Sequence, residues 1–577
     1  MTKIANLLVW LAAAANEAQG FNIPKNSVHR GDVNPVKQQH SKRGYVGLEF
    51  TKSYGDTFEG SNSENTPELY LHKRSDGSES IEITNQGTFY SVSLEIGTPE
   101  QNITVLVDTG SSDLWVSNSN NPYCQSNYQS TSGITYADTI DCTDYGTFDP
   151  DSSSSWSSNS TSFSIKYGDS TFASGVWGQD RLHLEDLNVT GLSFAVANRS
   201  NSTVGVLGIG LPGLEVTYTG SASKAYQYDN FPMVLKRSGA IESNVYSLYL
   251  NELDATHGTV LFGAVDHSKY EAPLYTIPLI NTLRANGFGS AVQFDVTLQG
   301  LGMTFENGTA DKTLTTTAIP ALLDSGTTLT YLPGSLVTII ANQVGATYSS
   351  RLGYYTVACP SSMSSSSSSS SSSTLDGINL IFDFGGFHIN ATLEDFLIQP
   401  SANICLLGIV PQTAHSALLG DSFLSHAYVV YDLENKEISM AQAKYDVDSS
   451  DIEVVSSGAS SIPSAIKAPG YSQTWSSSVA SIGTTGNIFT LVTQSTVDNS
   501  GTETTSATSN AGSSSSYSTT GTSSSSKTTS KKSSSSGTST RTTTTGSTNR
   551  KNGAFKVTTF HPMSVLSLIA FYLMMMM

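Results

Sequence analysis

Two stretches of the chain share one arrangement of acid, glycine and hydroxyl residues. VLVDTGSSDLWV, Val105 to Val116, and ALLDSGTTLTYLP, Ala321 to Pro333, each set an aspartate after an apolar run and follow it with Ser or Thr, Gly and two further hydroxyl residues. A single copy reads as a strand ending in a capped turn, because Asp and Gly after a strand are ordinary turn residues. Two copies read differently. Asp108 and Asp324, each left at a strand end, form a candidate pair of carboxylates. Like charges at close range do not easily ionise together, so such a pair shares one proton. One member can then deprotonate water while the other protonates a reacting oxygen or nitrogen. This chemistry needs no cofactor and no metal. Gly110 and Gly326 permit the tight turns and the close approach of other backbone.

The elements that must position these residues repeat as well. VGVLGIG places Gly208 100 residues after Asp108, and ALLGDSFL places Gly420 96 residues after Asp324. Two apolar segments ending in glycine at nearly equal offsets predict a duplicated β-domain. From about Ile81 to Ala443, short runs such as FYSVSLEIG, ITVLVD, GTVLFG and AYVVYDL alternate with Gly, Asn and Ser, which predicts an all-β body with two cores. SFSIKYGDSTFASG reads as a hairpin with Tyr167 before a Gly168-Asp169 turn. NFPMVLKRSGAI reads as an amphipathic helix closed by Gly239, so the basic pair Lys236-Arg237 is structural.

Composition narrows the function classes. The 577 residues carry a formal net charge of −19, which argues against nucleic acid as a partner. Cys124, Cys142, Cys359 and Cys405 lack the close spacing of zinc sites. Four cysteines allow three connectivities. Cys124–Cys142 with Cys359–Cys405 is the economical one, and the other two stay open. Residues 1–20 have signal-peptide architecture. Sequons at Asn102, Asn159, Asn188, Asn198, Asn201, Asn307 and Asn390 fit a secreted chain. Lys42-Arg43 and Lys73-Arg74 lie in a polar stretch open to proteolysis. The mature start is expected after Arg74, leaving residues 21–74 as a pro-segment. The serine run Ser364–Ser373 reads as a solvated loop, and the Ser/Thr-rich segment 446–552 as a disordered, O-glycosylated stalk. The last residues, 553–577, have the layout of a removed GPI signal, with Asn552 the expected attachment residue and Asn549 second.

From about Thr88 to Ala443 the chain resembles the pepsin-type aspartic proteases. The resemblance rests on the two Asp motifs, the opening strand FYSVSLEIGTPEQ, the loop FDPDSSSSW and the glycine segment LLGDSF. With the pro-segment, stalk and tail, it is similar to the yapsins, fungal surface-anchored members that cut at basic residues. The resemblance implies a bilobal pepsin-like fold, two pseudo-twofold-related β-barrel-like lobes (75–265 and 266–445) with a cleft and a flap hairpin between them. It implies an endopeptidase of polypeptide substrates, acting as a monomer and held at the outer face of the plasma membrane or in the wall. Thr109 and Ser325 would brace the two loops across the axis, and Ser111 and Thr327 would bond the outer carboxylate oxygens. Tyr167 matches the flap tyrosine and Trp115 its hydrogen-bond partner. Asp169, at the flap tip, is either the residue that draws in a Lys or Arg side chain or a turn-forming Asp. The alternatives are broad apolar specificity, or a wall protein that keeps the fold without catalysis. One departure from yapsins stands out. Ser117 to Ile165 contains no Lys or Arg, which makes cleavage into two chains there doubtful. That loop instead carries Asp138, Asp141, Asp144, Asp149 and Asp151, either a draw for basic substrates or a solvated acidic surface.

Overall fold

Runs of β-branched and aromatic residues, cut every few positions by Gly, Asn or Ser, sustain no helical period and fold as strands. The computed structural model describes residues 44–54, 69–73, 79–83 and 88–476, then 482–483 and 486–489. Breaks within 88–476 fall at 130–132, 135–138, 143, 168–170, 185–186, 220–225, 253–254, 256, 307, 351, 361–362, 364–374, 402–403, 415, 446 and 448. All statements below concern these described residues.

A 14-stranded sheet runs through the body. Its middle joins the lobes: Leu274–Pro278, Glu437–Gln442, Ala427–Asp432, Val245–Tyr249, His257–Phe262 and Val46–Tyr54 lie side by side, each antiparallel to the next. The sheet continues into the N-terminal lobe through Thr88–Ile96 and Gln101–Asp108. Glu95 and Ile96 also pair with His183 and Leu182, so this part of the sheet closes on itself. Closure removes edges that would otherwise recruit other chains.

The predicted duplication is visible as strand pairing. Gln101–Asp108 runs parallel to Gly205–Gly208, which is antiparallel to Leu114–Ser117. In the second lobe Ile319–Leu323 runs parallel to Ala417–Leu419, which is antiparallel to Thr330–Pro333. Both central strands are buried on both faces, which explains their unbroken apolar runs VLV and ALL. Beneath them Tyr246 and Tyr431 stack at 4.8 Å between ring centroids, and the Tyr246 hydroxyl donates to the Ile209 carbonyl at 3.0 Å. The lobes therefore share an aromatic floor.

The predicted helix spans Phe231–Ser238 and ends at Gly239, whose φ of 79° suits glycine. It buries Phe231, Val234 and Leu235 and turns Lys236 and Arg237 outward to pair with Glu434 and Asp229. Both economical disulfides are present: Cys124–Cys142 and Cys359–Cys405, with Cα atoms 5.4 and 5.0 Å apart.

Two features differ from the expected domain outline. The strand Val46–Tyr54, inside the expected pro-segment, is a full member of the interlobe sheet and buries Val46 and Leu48. Downstream, Lys73 ends a strand, Leu69–Lys73, that pairs with Glu79–Ile83, while Arg74 lies outside the described residues. At the other end, packing onto the body continues past the expected boundary at 445/446. Ile452–Val454 pairs with Ala264–Asp266, and Ala465–Lys467 adds parallel to Leu274–Pro278. Val455, Ile462 and Ala468, sparse among serines, are buried there. Farther on, Ile488 sits over Gly300 and Gly302, where a Cβ at either glycine would come within 2.6 Å of it. Composition alone reads this strap as stalk because so few apolar residues carry it.

Asn102, Asn159, Asn188, Asn198 and Asn390 are exposed, whereas Asn201 is half-buried and its side-chain oxygen accepts the Phe172 N–H. Asn307, the run Ser364–Ser373, Asn549, Asn552, residues 1–43 and residues 490–577 lie outside the described residues.

Candidate active site

Each Asp motif ends a central strand, and the glycine turn after it folds back over the carboxylate. Gly110 N–H donates to Asp108 Oδ1 at 2.7 Å, and Ser111 Oγ donates to Asp108 Oδ2. The second loop matches: Gly326 N–H donates to Asp324 Oδ1 at 2.9 Å and Thr327 Oγ1 to Asp324 Oδ2 at 2.8 Å. The parallel partner strand fixes each loop from the other side. Ile209 N–H donates to the Asp108 carbonyl at 2.9 Å, and Asp324 N–H to the Leu419 carbonyl at 3.1 Å.

The two loops also hold each other. Thr109 Oγ1 donates to the Leu323 carbonyl and accepts from Ser325 N–H, both at 2.9 Å. Ser325 Oγ donates to the Val107 carbonyl at 2.9 Å and accepts from Thr109 N–H at 3.2 Å. The four bonds are buried and reciprocal, so neither loop can shift without breaking bonds to the other. The glycines are required by contact: a Cβ on Gly110 would stand 2.5 Å from Asp324 Oδ1, and one on Gly326 would collide with Asp108 Oδ1.

Asp108 and Asp324 thus sit face to face with 7 % and 8 % exposure. Burial raises both carboxyls, and the charge of Asp324 raises Asp108 further. The geometry supports one shared proton, titrated by the pair together.

The hairpin forms as expected, with Ser157–Lys166 paired to Phe172–Leu184. Tyr167 follows the first strand and its N–H donates to the Thr171 carbonyl at 2.9 Å. Its hydroxyl accepts from Trp115 Nε1 at 2.7 Å, and Trp115 is fully buried behind the first Asp loop. Gly168 and Asp169 lie outside the described residues. In the acidic loop, Asp149 caps the turn Pro150–Ser152, accepting from Asp151 N–H at 3.1 Å and Ser152 Oγ at 2.6 Å. That carboxylate serves the loop's own fold.

One cluster escapes sequence reading although its first member lies within the opening motif. Asp113 is buried; its Oδ1 accepts the Tyr228 hydroxyl at 2.7 Å and its Oδ2 accepts Val216 N–H at 2.9 Å. Glu215 is fully buried beside it and accepts Tyr228 N–H at 2.9 Å. Burial holds the Asp113 carboxyl up at about 6. Burial again, then the charges of Asp113 and Asp229, hold Glu215 at about 9. The available signal is an asymmetry between the repeats: the position of Asp113 is occupied in the second copy by Leu329.

A duplicated β-body with two opposed Asp loops bonded across an axis is the fold of an aspartic protease. The family model of eukaryotic aspartyl proteases matches residues 89–443, and the chain belongs to that family. It is 53 % identical over 521 residues to Aspartic proteinase 3 of Saccharomyces cerevisiae, covering 81 % of this chain and 88 % of that one. Over 501 residues it is 50 % identical to Aspartic proteinase MKC7, and over 454 residues 51 % identical to Aspartic proteinase yapsin-3, both of the same yeast. The first alignment covers 78 % of this chain and 81 % of its relative, the second 78 % and 82 %. The protein is a pepsin-type aspartic endopeptidase of the yapsin kind, acting on polypeptides.

Proposed function

We propose that Asp108 and Asp324 are the catalytic pair, and the observation that carries the assignment is their burial face to face behind four reciprocal loop bonds. The charged carboxylate takes a proton from water as the water oxygen bonds to the scissile carbonyl carbon. The protonated partner gives its proton to the carbonyl oxygen, and the tetrahedral species forms. The carboxyl that took the water's proton passes it to the amide nitrogen, and the C–N bond breaks as a hydroxyl of the tetrahedral species returns its proton to the other carboxylate. Ser111 and Thr327 hold the outer oxygens, which keeps the carboxyls in one plane through the cycle. Tyr167, positioned by Trp115, stands on the hairpin that closes over substrate. Asp108→Asn, made in the full chain, abolishes cleavage of a peptide library while the protein still folds. A variant that retains cleavage overturns the assignment.

The finer substrate preference is for Lys, Arg or paired basic residues. It rests on the likeness to yapsins, on Asp169 two residues after Tyr167 in the sequence and on an acidic chain of net charge −19. Asp169→Ala lowers cleavage after Lys or Arg far more than after Leu. Equal losses on both peptides count against Asp169.

The same reading places the enzyme in the secretory pathway and at the outer cell surface or wall, where it processes or sheds other surface and secreted proteins. It enters through residues 1–20, is trimmed after Lys73-Arg74, carries glycans on its sequons and is held by a GPI anchor at Asn552. Release of the protein from cell membranes by a phosphatidylinositol-specific phospholipase tests the anchor.

A further inference from the structure

The loop between the first Asp motif and the hairpin is bonded to the strand that pairs with the hairpin's return strand. Asn121 is fully buried, and exchanges two bonds with Ser200: its Nδ2 donates to the Ser200 carbonyl at 2.8 Å and its Oδ1 accepts Ser200 N–H at 3.2 Å. Asn118 Nδ2 donates to Asn198 Oδ1 at 3.0 Å. These bonds fasten the loop to the end of the strand Leu187–Ser200, which pairs with the hairpin's return strand through Ala173 and Ser174. Between Asn121 and Cys124 stands Tyr123. Its ring meets that of Phe172 edge-on, with centroids 5.6 Å apart and planes at 81°, and the Arg199 guanidinium lies 5.8 Å from its centroid.

Phe172 lies close to Tyr167 along the hairpin, and Thr171, the residue before it, accepts the Tyr167 N–H at 2.9 Å. Phe172 pairs with Lys166 across the hairpin, one residue from Tyr167, and its N–H donates to Asn201 Oδ1 at 2.8 Å. The backbone of Tyr123 is fixed in turn by the disulfide. Ile140 N–H donates to the Tyr123 carbonyl at 2.8 Å, and Gln125 N–H to the Ile140 carbonyl at 3.0 Å, on either side of Cys124, which bonds Cys142. A covalent crosslink therefore holds an aromatic ring against the turn end of the hairpin.

We propose that the disulfide-closed loop is a brace for the hairpin, with Tyr123 a positioning residue that acts through Phe172 to hold Tyr167 over the Asp pair. The proposal rests on the reading of this hairpin as the flap. Its test compares kcat and KM for one peptide across full-length variants. Tyr123→Ala raises KM about two- to tenfold, the range for one lost edge-to-face contact, and changes kcat less. Tyr123→Phe keeps the ring and behaves as the parent. Combining Tyr123→Ala with Phe172→Leu raises KM no more than Phe172→Leu alone, because the two share one contact. Removing both Cys124 and Cys142 reproduces the KM of Tyr123→Ala. If Tyr123→Ala fails to accumulate, Tyr123→Leu keeps the bulk without the ring edge and carries the same expectation.

A parent-like KM for Tyr123→Ala, or additive effects in the double variant, overturns the brace. Equal losses for Tyr123→Ala and Tyr123→Phe also overturn it. Tyr167→Phe separates the two levels of the reading. If it raises KM while Tyr123→Ala does not, the flap stands and the brace falls. If it changes neither kcat nor KM, the flap reading itself falls.

Discussion

Glu215 gives the sharpest test of the electrostatics, because its burden depends on pH. It is fully buried after the turn Pro212–Leu214, and burial with the nearby Asp113 and Asp229 charges holds its carboxyl at about 9, from an ordinary 4.5. A raised acid contributes its full stability below its unfolded value and loses it as pH rises toward its folded value. At pH 7.5 the folded chain still holds this proton and the unfolded chain has released it. Three pH units at 1.36 kcal/mol each put the loss at about 4 kcal/mol, an upper figure because local relaxation softens it. Glu215→Gln keeps an acceptor for Tyr228 N–H and removes the titration. The variant and parent should melt together at pH 4. At pH 7.5 the variant should melt on the order of 5 °C higher. Thermal melts at half-unit pH steps measure this directly. Curves that run parallel from pH 4 to pH 8 would show that Glu215 does not carry the loss, and the reasoning from its burial would fail.

Other expectations follow from the same geometry. Gly110→Ala sets a methyl 2.5 Å from Asp324 Oδ1, and displacing that carboxylate by about 1 Å should lower kcat about 100-fold with little change in the melt. Tyr228→Phe removes a donor from the buried Asp113 carboxylate and should cost about 1–3 kcal/mol. That loss should be larger at pH 7 than at pH 4, because Asp113 ionises near pH 6. Ending the chain after Tyr445 strips the strands Ile452–Val454 and Ala465–Lys467 from the body, whereas ending it after Phe489 does not. Secretion yield and melting temperature should fall only for the shorter form.

The fold and the acid pair are legible in the sequence because they depend on patterns short enough to see. The Asp–Gly turns repeat within a dozen residues, and the strands between them alternate or run apolar to the length of a strand. Gly239 stops the helix where its sequence places the stop, since few residues but glycine accept its φ. Glu215 is not legible, because an acid after Pro-Gly-Leu reads as a solvated turn residue. Only tertiary packing shows Tyr228, thirteen positions on, covering it. The strap after residue 446 is hidden for a related reason. Its apolar anchors, Val455, Ile462, Ala468 and Ile488, are too far apart to form a period, yet all are buried against the body. The contact of Tyr123 with Phe172 joins a loop to a strand far along the chain, and no local pattern encodes a contact of that kind.

The strap also sets a load path. Tension applied to the chain beyond Phe489 is met first by Ile488 on Gly300 and Gly302, then by Gly483 bonded to Thr315 and Thr317, then by Trp475 N–H on Thr297 and by Gly470 against Gly385. Only after these have peeled away in order would force reach Ala465–Lys467 and the interlobe sheet. A tug on the tail is spent in small sacrificial steps before the interlobe sheet is loaded.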